Sequence, residues 1–565
     1  MAHDWRRDIW HGSVSDGPGP VHSGAAELTD AGGRAMSDLP TAPGENHAPT
    51  EETWQPSARP WLAALGVILA VFMELLDTSI MNVAIPHIAG SLSASTNEAT
   101  WVLTSYLISN AIVLPASGWF SSMFGRRRFL LACVGSFTVA SALCGLAPSL
   151  GLLVAARVLQ GVGGGALQPI SQAVLLESFP PARHGLAMAV WGLGVVTAPI
   201  IGPTLGGWLT DTYSWRWCFY INLPIGILAM TTIQAALEDP HYLRRDTRLR
   251  IDYVGFGLMA LALGSLQIVL DKGQDADWFA ATWVCVLSGL SAIAFLAFVI
   301  CELRAPQPVV DLRVLRNRSF AIGTLMMTAV GAVLYSTTAM LPLYLQTLVN
   351  YPAFQSGLAL SPRGFGSVIA MLAAGYLVAR IDTRILIAFG FVLLSQSCFA
   401  FGNLTLDISI GHVIGPMILN GLAAGVTFVP LAATTMATLP KEGIGNATGI
   451  FNLMRNIGGS VGIALVTTFI ARGAQRHQAL LLGRLTPYDP VYQQWLGGGE
   501  AALAARGAAR PAEQALGLAY NTLLQQASFA AFIDSFRLLG FLCLACVPAV
   551  FIMRRLRSTP SSVVH

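Results

Sequence analysis

The sequence predicts an all-α polytopic membrane protein: fourteen transmembrane helices in two six-helix halves, with two helices inserted between them. Three observations lead there. Of 565 residues, 54% are hydrophobic and only 11% are charged, where soluble domains carry about 25%, and the mean hydropathy is +0.59. Apolar runs of bilayer-spanning length alternate with short polar breaks. Glycine-rich signatures in the first half recur at matching places in the second.

Residues 1–60 are rich in Gly, Pro, Ser, Asp and His and form a disordered cytoplasmic tail by composition. They hold no apolar region that serves as a signal peptide, so the first helix is expected to be an uncleaved anchor, and Met36 is an equally good start. The first run, 61–85, carries Glu74 and Asp77 within its apolar length. A carboxylate near the bilayer centre costs about 2.5–3.5 kcal/mol, so one kept there faces protein or water and is a functional candidate. Positions 74, 77, 78 and 81 share one helix side, which places Glu74, Asp77, Thr78 and Met81 in one stripe. The stripe is read as facing a transport cavity, with Asp77 exchanging a proton. The competing reading is an uncharged acid satisfied by a neighbouring helix.

Runs at 101–120, 129–147, 152–174, 186–209 and 219–236 complete a first half over 61–236. Runs at 254–270 and 281–301 form the insert, 237–319 with its flanking cytoplasmic loops. The second half, 320–557, has runs at 320–341, 364–378, 385–401, 412–436, 449–470 and 532–553, followed by a tail at 558–565. Basic residues set the orientation. Arg126, Arg127, Arg128, Arg183, Arg244, Arg245, Arg248, Arg250, Arg304, Arg313, Arg316, Arg318, Arg380, Arg384, Lys441, Arg554, Arg555 and Arg557 fall on one side, and both termini join them inside. The segment 472–530, with Arg472, Arg476, Arg484, Arg506 and Arg510, is placed outside as a periplasmic accessory loop with a surface helix near 511–526. It is long enough for the charge rule to weaken.

Two echoes support the repeat. Span four carries Arg157-Val-Leu-Gln160-Gly161 through Gly165, and span twelve carries Asn420-Gly421 through Gly425, the same amide-Gly-x-x-x-Gly core. Span two ends in Gly118, an apolar turn, then Gly125-Arg126-Arg127; span ten ends in Gly375, an apolar turn, then Arg380 and Arg384. Parallel six-span repeats with a site between them near mid-membrane are the architecture of major facilitator transporters.

Gly202-Pro203-Thr-Leu-Gly206-Gly207 in span five lets helices approach closely and interrupts the backbone ladder, which suits a hinge. Gly161 to Gly165 is no dinucleotide loop, since it lies within one hydrophobic span, and no P-loop lysine motif occurs. Arg157 lies about 10 Å deep and Asp77 about 12 Å from the same face by helical rise, so the two can meet. A nearby arginine favours the carboxylate, whereas burial in a dry cavity favours the neutral acid; a conformational change that alters either loads or releases a proton. A static ion pair joining spans one and four is the alternative. Arg455 is a further embedded charge without an evident partner. Trp215-Arg216-Trp217 reads as an interfacial anchor. Cys543-x-x-Cys546 lies inside the last apolar run, and no disulfide framework, metal ligand set or nucleophile–base pair is visible.

As a set these motifs resemble the fourteen-span drug:proton antiporters of the major facilitator superfamily, the EmrB/QacA type. Leu76-Asp77-Thr78 through Pro86 looks like that group's first-helix signature, Arg157 to Gly165 its fourth-helix motif, and Gly202 to Gly207 its antiporter motif. Trp215 to Pro224, Asp271-Lys-Gly and Asp311-Leu-Arg are similar as well. The chain departs from the pattern at Ser122, where the inner loop usually has aspartate, and at Met123, where it has arginine; Gly118, Gly125, Arg126 and Arg127 remain as the inner gate. The resemblance implies an exporter of amphipathic, often toxic compounds across a bacterial inner membrane, driven by the proton gradient without a cofactor. Asp77 is expected to carry the proton, Arg157 to tune it, and Glu74 to be a second carboxylate. Tyr106, Gln160 and Asn420 are candidate substrate contacts. A periplasmic adaptor and outer-membrane channel are possible partners by kinship; no nucleic-acid partner is expected. Two rivals remain: a carrier of a specific metabolite or lipid with the same fold, and a non-transporting membrane receptor or scaffold.

Overall fold

The structure, a computed structural model, describes residues 59–180, 183–238, 252–378, 380–440, 443–483 and 485–553. Nearly all of the tail 1–60, the tail 558–565 and the side chains of Arg244, Arg245, Arg248, Arg250, Lys441, Arg484, Arg554, Arg555 and Arg557 lie outside them. A lipid-exposed backbone has to satisfy its own N–H and C=O groups, which leaves helices as the solution for such apolar runs. Every regular element among the described residues is helical, and fourteen helices are long and apolar enough to cross a membrane.

Span one is Pro60–Ser91, span two Trp101–Phe124 and span three Arg126–Leu146. Span four is two helices, Leu150–Gly164 and Leu167–Ser178. Span five is His184–Thr212 and span six Trp217–Ala236. The inserted pair is span seven, Tyr253–Lys272, and span eight, Thr282–Arg304. Spans nine to fourteen are Arg318–Thr347, Gln355–Leu377, Thr383–Phe401, Ile410–Met436, Ile444–Leu482 and Pro511–Val550. Local chemistry starts several of them. Asp252, Asn317 and Asp382 cap spans seven, nine and eleven by accepting from backbone N–H groups of the first turn. Between spans one and two, Ser95 donates its N–H (2.8 Å) and hydroxyl (2.7 Å) to Glu98, closing a capping box. These bonds hold the Glu98 carboxyl below its usual range. Gly125, at φ 84°, makes the sharp turn from span two into span three.

Most spans run past their expected limits, spans thirteen and fourteen by the most. Span one runs on through Pro86, a proline that a membrane helix tolerates because neighbours re-satisfy the freed carbonyl. Spans thirteen and fourteen have 39 and 40 residues, about 58–60 Å of helix against a hydrocarbon core of about 30 Å. The expected loop 472–530 is therefore mostly helical. Its ends continue the two spans, and a separate helix, Pro490–Ala505, lies between them. The expected surface helix near 511–526 is the first part of span fourteen. Apolarity marks where lipid begins, while Ala, Leu and Gln beyond it continue to favour helix.

The repeat echoes occupy equivalent places. Gly161 abuts span two, where a Cβ would lie 2.5 Å from the Tyr106 carbonyl oxygen; Gly421 abuts span ten, where a Cβ would lie 2.9 Å from the Ser367 nitrogen. The halves meet on the Arg126 side through two close backbone approaches. A Cβ at Gly118 would sit 2.6 Å from the Asn446 nitrogen of span thirteen, and one at Gly185 would sit 2.8 Å from the Gly375 oxygen of span ten. Deeper in, Trp191 of span five stacks on Phe428 of span twelve at 5.7 Å.

Span seven fastens to both halves. On span two, Thr104 hydrogen-bonds Asp271, and Lys272 donates to Thr100 at 2.5 Å. On span thirteen, Ser460 donates to Gln267 at 3.1 Å, and Trp278, just past span seven, donates to Thr468 at 2.8 Å. Along spans five and ten lies an apolar crevice of 410 Å³ lined by Ile200, Ile201, Thr204, Leu205, Trp208 and Ser361.

Candidate functional site

Asp77 and Arg157 meet. Arg157 Nη1 lies 2.5 Å from Asp77 Oδ2 and 2.8 Å from Gln160 Oε1, while Arg157 Nε donates to the Val102 carbonyl at 2.9 Å. The other carboxylate oxygen, Asp77 Oδ1, accepts from Gln160 Nε2 at 3.0 Å and from Asn222 Nδ2 at 2.8 Å. Asn222 also donates to Ser141, whose hydroxyl donates to the Phe219 carbonyl. The Arg157 guanidinium lies over the Tyr106 ring, 4.4 Å from its centroid. Asp77, Arg157, Gln160 and Asn222 have no exposed surface. An ion pair removed from water holds only if its remaining donors and acceptors are met, and the two amides do most of that here.

The expected stripe does not face one cavity. The hydrogen-bond partners of buried Asp77, namely Arg157, Gln160 and Asn222, all belong to the first six spans. Glu74, three residues earlier and 3% exposed, turns toward the second half. Gln168 Nε2 donates to both of its oxygens, at 3.0 and 2.8 Å, Asn110 Nδ2 donates at 3.2 Å, and the Tyr106 hydroxyl donates at 3.4 Å. The oxygen of Gln168 accepts from Arg455 Nη2 of span thirteen. This is the partner that the sequence did not reveal for Arg455. One turn along, Asn452 Nδ2 donates to Gln172 Oε1 at 2.7 Å. Tyr106 joins the two clusters, its ring under Arg157 and its hydroxyl on Glu74.

Of the three candidate substrate contacts, Gln160 is committed to the ion pair through both amide atoms. Tyr106 lies between the clusters, and Asn420 stands apart in span twelve, donating to Ser397 at 2.9 Å. At the expected inner gate, Arg126 is ion-paired to Glu177 with both side chains buried, and Arg127 Nη2 donates to the Gln234 carbonyl at 2.7 Å. Ser122, standing where an aspartate was expected, donates to its own helix at Trp119; Glu177 supplies an acid to this gate from span four. In the expected hinge motif, a Cβ on Gly202 would lie 2.6 Å from the Ser79 Cβ of span one, Gly206 lies against Ile80, Gly207 faces Val83, and Pro203 lies near Gly357 of span ten. Arg216 donates to the Gly145 and Ala147 carbonyls at 2.8 and 2.7 Å, capping span three beside exposed Trp217 and Tyr213.

Sequence reasoning gave no role to Asn222, Gln168 and Glu177. Asn222 lay inside a quoted motif, and each is a polar residue in or at the edge of an apolar run, which was the available signal.

Residues 67–463 match the model of the Major Facilitator Superfamily. The chain is 36% identical over 503 residues to the fatty acid resistance protein FarB of Neisseria gonorrhoeae, covering 88% of this chain and 96% of that one. It is 36% identical over 434 residues to the multidrug export protein EmrB of Escherichia coli K12, covering 76% and 84%. The proton:xylose symporter XylE superposes with a TM-score of 0.56 at 12% identity, over 89% of this chain and 97% of that one, a likeness of fold alone. The chain therefore belongs to the major facilitator superfamily of transporters, in its fourteen-span EmrB/QacA-type drug:proton antiporter family.

Proposed function

We propose that the protein exports amphipathic toxic compounds across the bacterial cytoplasmic membrane in exchange for inward-moving protons, with both termini cytoplasmic. The observation that carries this reading is the Asp77–Arg157 pair, fully buried and held by Gln160 and Asn222. Arginine at hydrogen-bond distance keeps a buried carboxylate ionised. Separating them leaves a charge in a dry seam, which proton uptake neutralises. In this reading Asp77 carries the proton, Arg157 controls it, and Glu74 is the second carboxylate, facing the other half. The names of the relatives, multidrug export and fatty acid resistance, support an amphipathic substrate moving outward. The distribution of arginines supports the orientation. Spans thirteen and fourteen extend well past the bilayer and carry the helix Pro490–Ala505 with exposed Val491 and Trp495, a surface suited to a periplasmic adaptor.

The test is drug-dependent proton release in everted vesicles. The parent should collapse an imposed pH gradient when drug is added, and Asp77→Asn at equal abundance should not. Equal collapse by both would remove the proton from Asp77.

A further inference from the structure

Glu74 accepts from three donors and donates to nothing: Gln168 Nε2, Asn110 Nδ2 and the Tyr106 hydroxyl. The cluster is built around a carboxylate anion. Gln168 stands between this anion and a cation of the opposite half, with its NH2 on Glu74 and its oxygen on Arg455. Arg455 is 6% exposed, its Nε has no partner, and among the described residues it forms no ion pair. Its hydrogen bond to Gln168 links it to Glu74, the carboxylate whose charge it feels.

We infer that Gln168 is a positioning residue that reports the protonation of Glu74 to Arg455, so that proton uptake releases the cytoplasmic seam between the two halves. The inference rests on the proton-coupled reading above. A protonated Glu74 has a hydroxyl to donate, but Gln168 Nε2 faces both of its oxygens and cannot accept, while the Gln168 oxygen faces Arg455. Turning the amide gives Glu74 its acceptor but points NH2 at a guanidinium, which is donor only. Two donors face to face cannot bond, and the bridge to span thirteen opens. The step adds one proton to one carboxylate oxygen and alters no other covalent bond.

The placement gives the direction. Gln168 lies about 15 Å along its helix from Ser178, and Arg455 about 16 Å from Ile444, both measured from the Arg126 side. The bridge therefore belongs to the seam that Gly118 and Gly185 close. Ionised Glu74 holds that seam shut. A proton arriving from the outside loosens it and leaves on the cytoplasmic side, the sense that antiport requires. The Asn452–Gln172 bond beside it involves no titratable group. The charged and titratable neighbours of Glu74 are Tyr106 on span two, Arg455 on span thirteen and, one turn along its own helix, Asp77 with Arg157 of span four. Span five brings Asp211 to His87 of span one near the far end of both helices, and the span six group turned to this region is Asn222.

Spin labels carried on genetically encoded ketone side chains at positions 128 and 437 leave the native cysteines in place. Their separation, in the full-length protein in liposomes, should lengthen from mildly alkaline to mildly acid buffer. Glu74→Gln should show the long distance in both buffers. Gln168→Leu, and independently Arg455→Leu should the first fold poorly, should lose the pH-dependent shift. A full shift in either relay variant overturns the inference. The two failures are separable: no drug-dependent proton movement in parent vesicles overturns the functional reading, whereas proton movement with an undiminished shift in Gln168→Leu overturns the relay alone.

Discussion

Asp77 and Arg157 share a site without exposed surface, so removing one side chain differs from removing both. Arg157→Leu strands a carboxylate between two amides and should cost about 3–5 kcal/mol. Asp77→Leu combined with Arg157→Leu should recover most of that stability while abolishing transport. Thermal unfolding in detergent, read against export in cells, checks both halves of the statement. The Arg126–Glu177 pair should behave in the same way: Glu177→Leu alone destabilises, and adding Arg126→Leu restores stability. Asp77 and Arg157 were legible in the sequence because a charge within an apolar run is conspicuous. Gln168 and Asn222 were not, because an amide in such a run is ordinary, and its importance comes from partners 94 and 145 residues away along the chain. Sequence spacing placed Glu74 and Asp77 on one stripe, yet the roughly 60° between positions three apart on a helix suffices to give them separate partners.

Where two helices cross, backbone proximity decides what can move. At Gly118 a methyl group would lie 2.6 Å from the Asn446 nitrogen, so Gly118→Ala must push spans two and thirteen apart on the Arg126 side. Transport should fall about tenfold or more, as a shift of 1 Å elsewhere in a tuned site does. Chain abundance should stay near the parent's, and a thiol placed at Thr438 should become more reactive toward a membrane-impermeant maleimide. Unchanged labelling would show that the contact is dispensable. The existence and order of the spans were legible from apolarity. The lengths of spans thirteen and fourteen were not, because hydropathy reports the solvent around a helix and not where its hydrogen-bond ladder stops.

Across the molecule, the two-half plan was legible from the paired Gly motifs, and the inserted pair from its count, but not its attachment. Span seven bonds to span two through Asp271 and Lys272 and, with Trp278, to span thirteen through Gln267. These spans belong to opposite halves, so the insert limits how far they separate. Trp278→Phe with Ser460→Ala removes both bonds to span thirteen without touching the buried charges. The pair should widen the distribution of distances between labels on spans seven and thirteen, with export reduced less than by Asp77→Asn. The same attachment makes the boundary between the halves unequal around the protein. On one flank span seven stands between that boundary and the surrounding acyl chains; on the other, the crevice beside Trp208 and Ser361 lies bare. A hydrophobic molecule dissolved in the surrounding lipid can therefore touch the boundary between the halves on the second flank, whereas span seven keeps it away on the first.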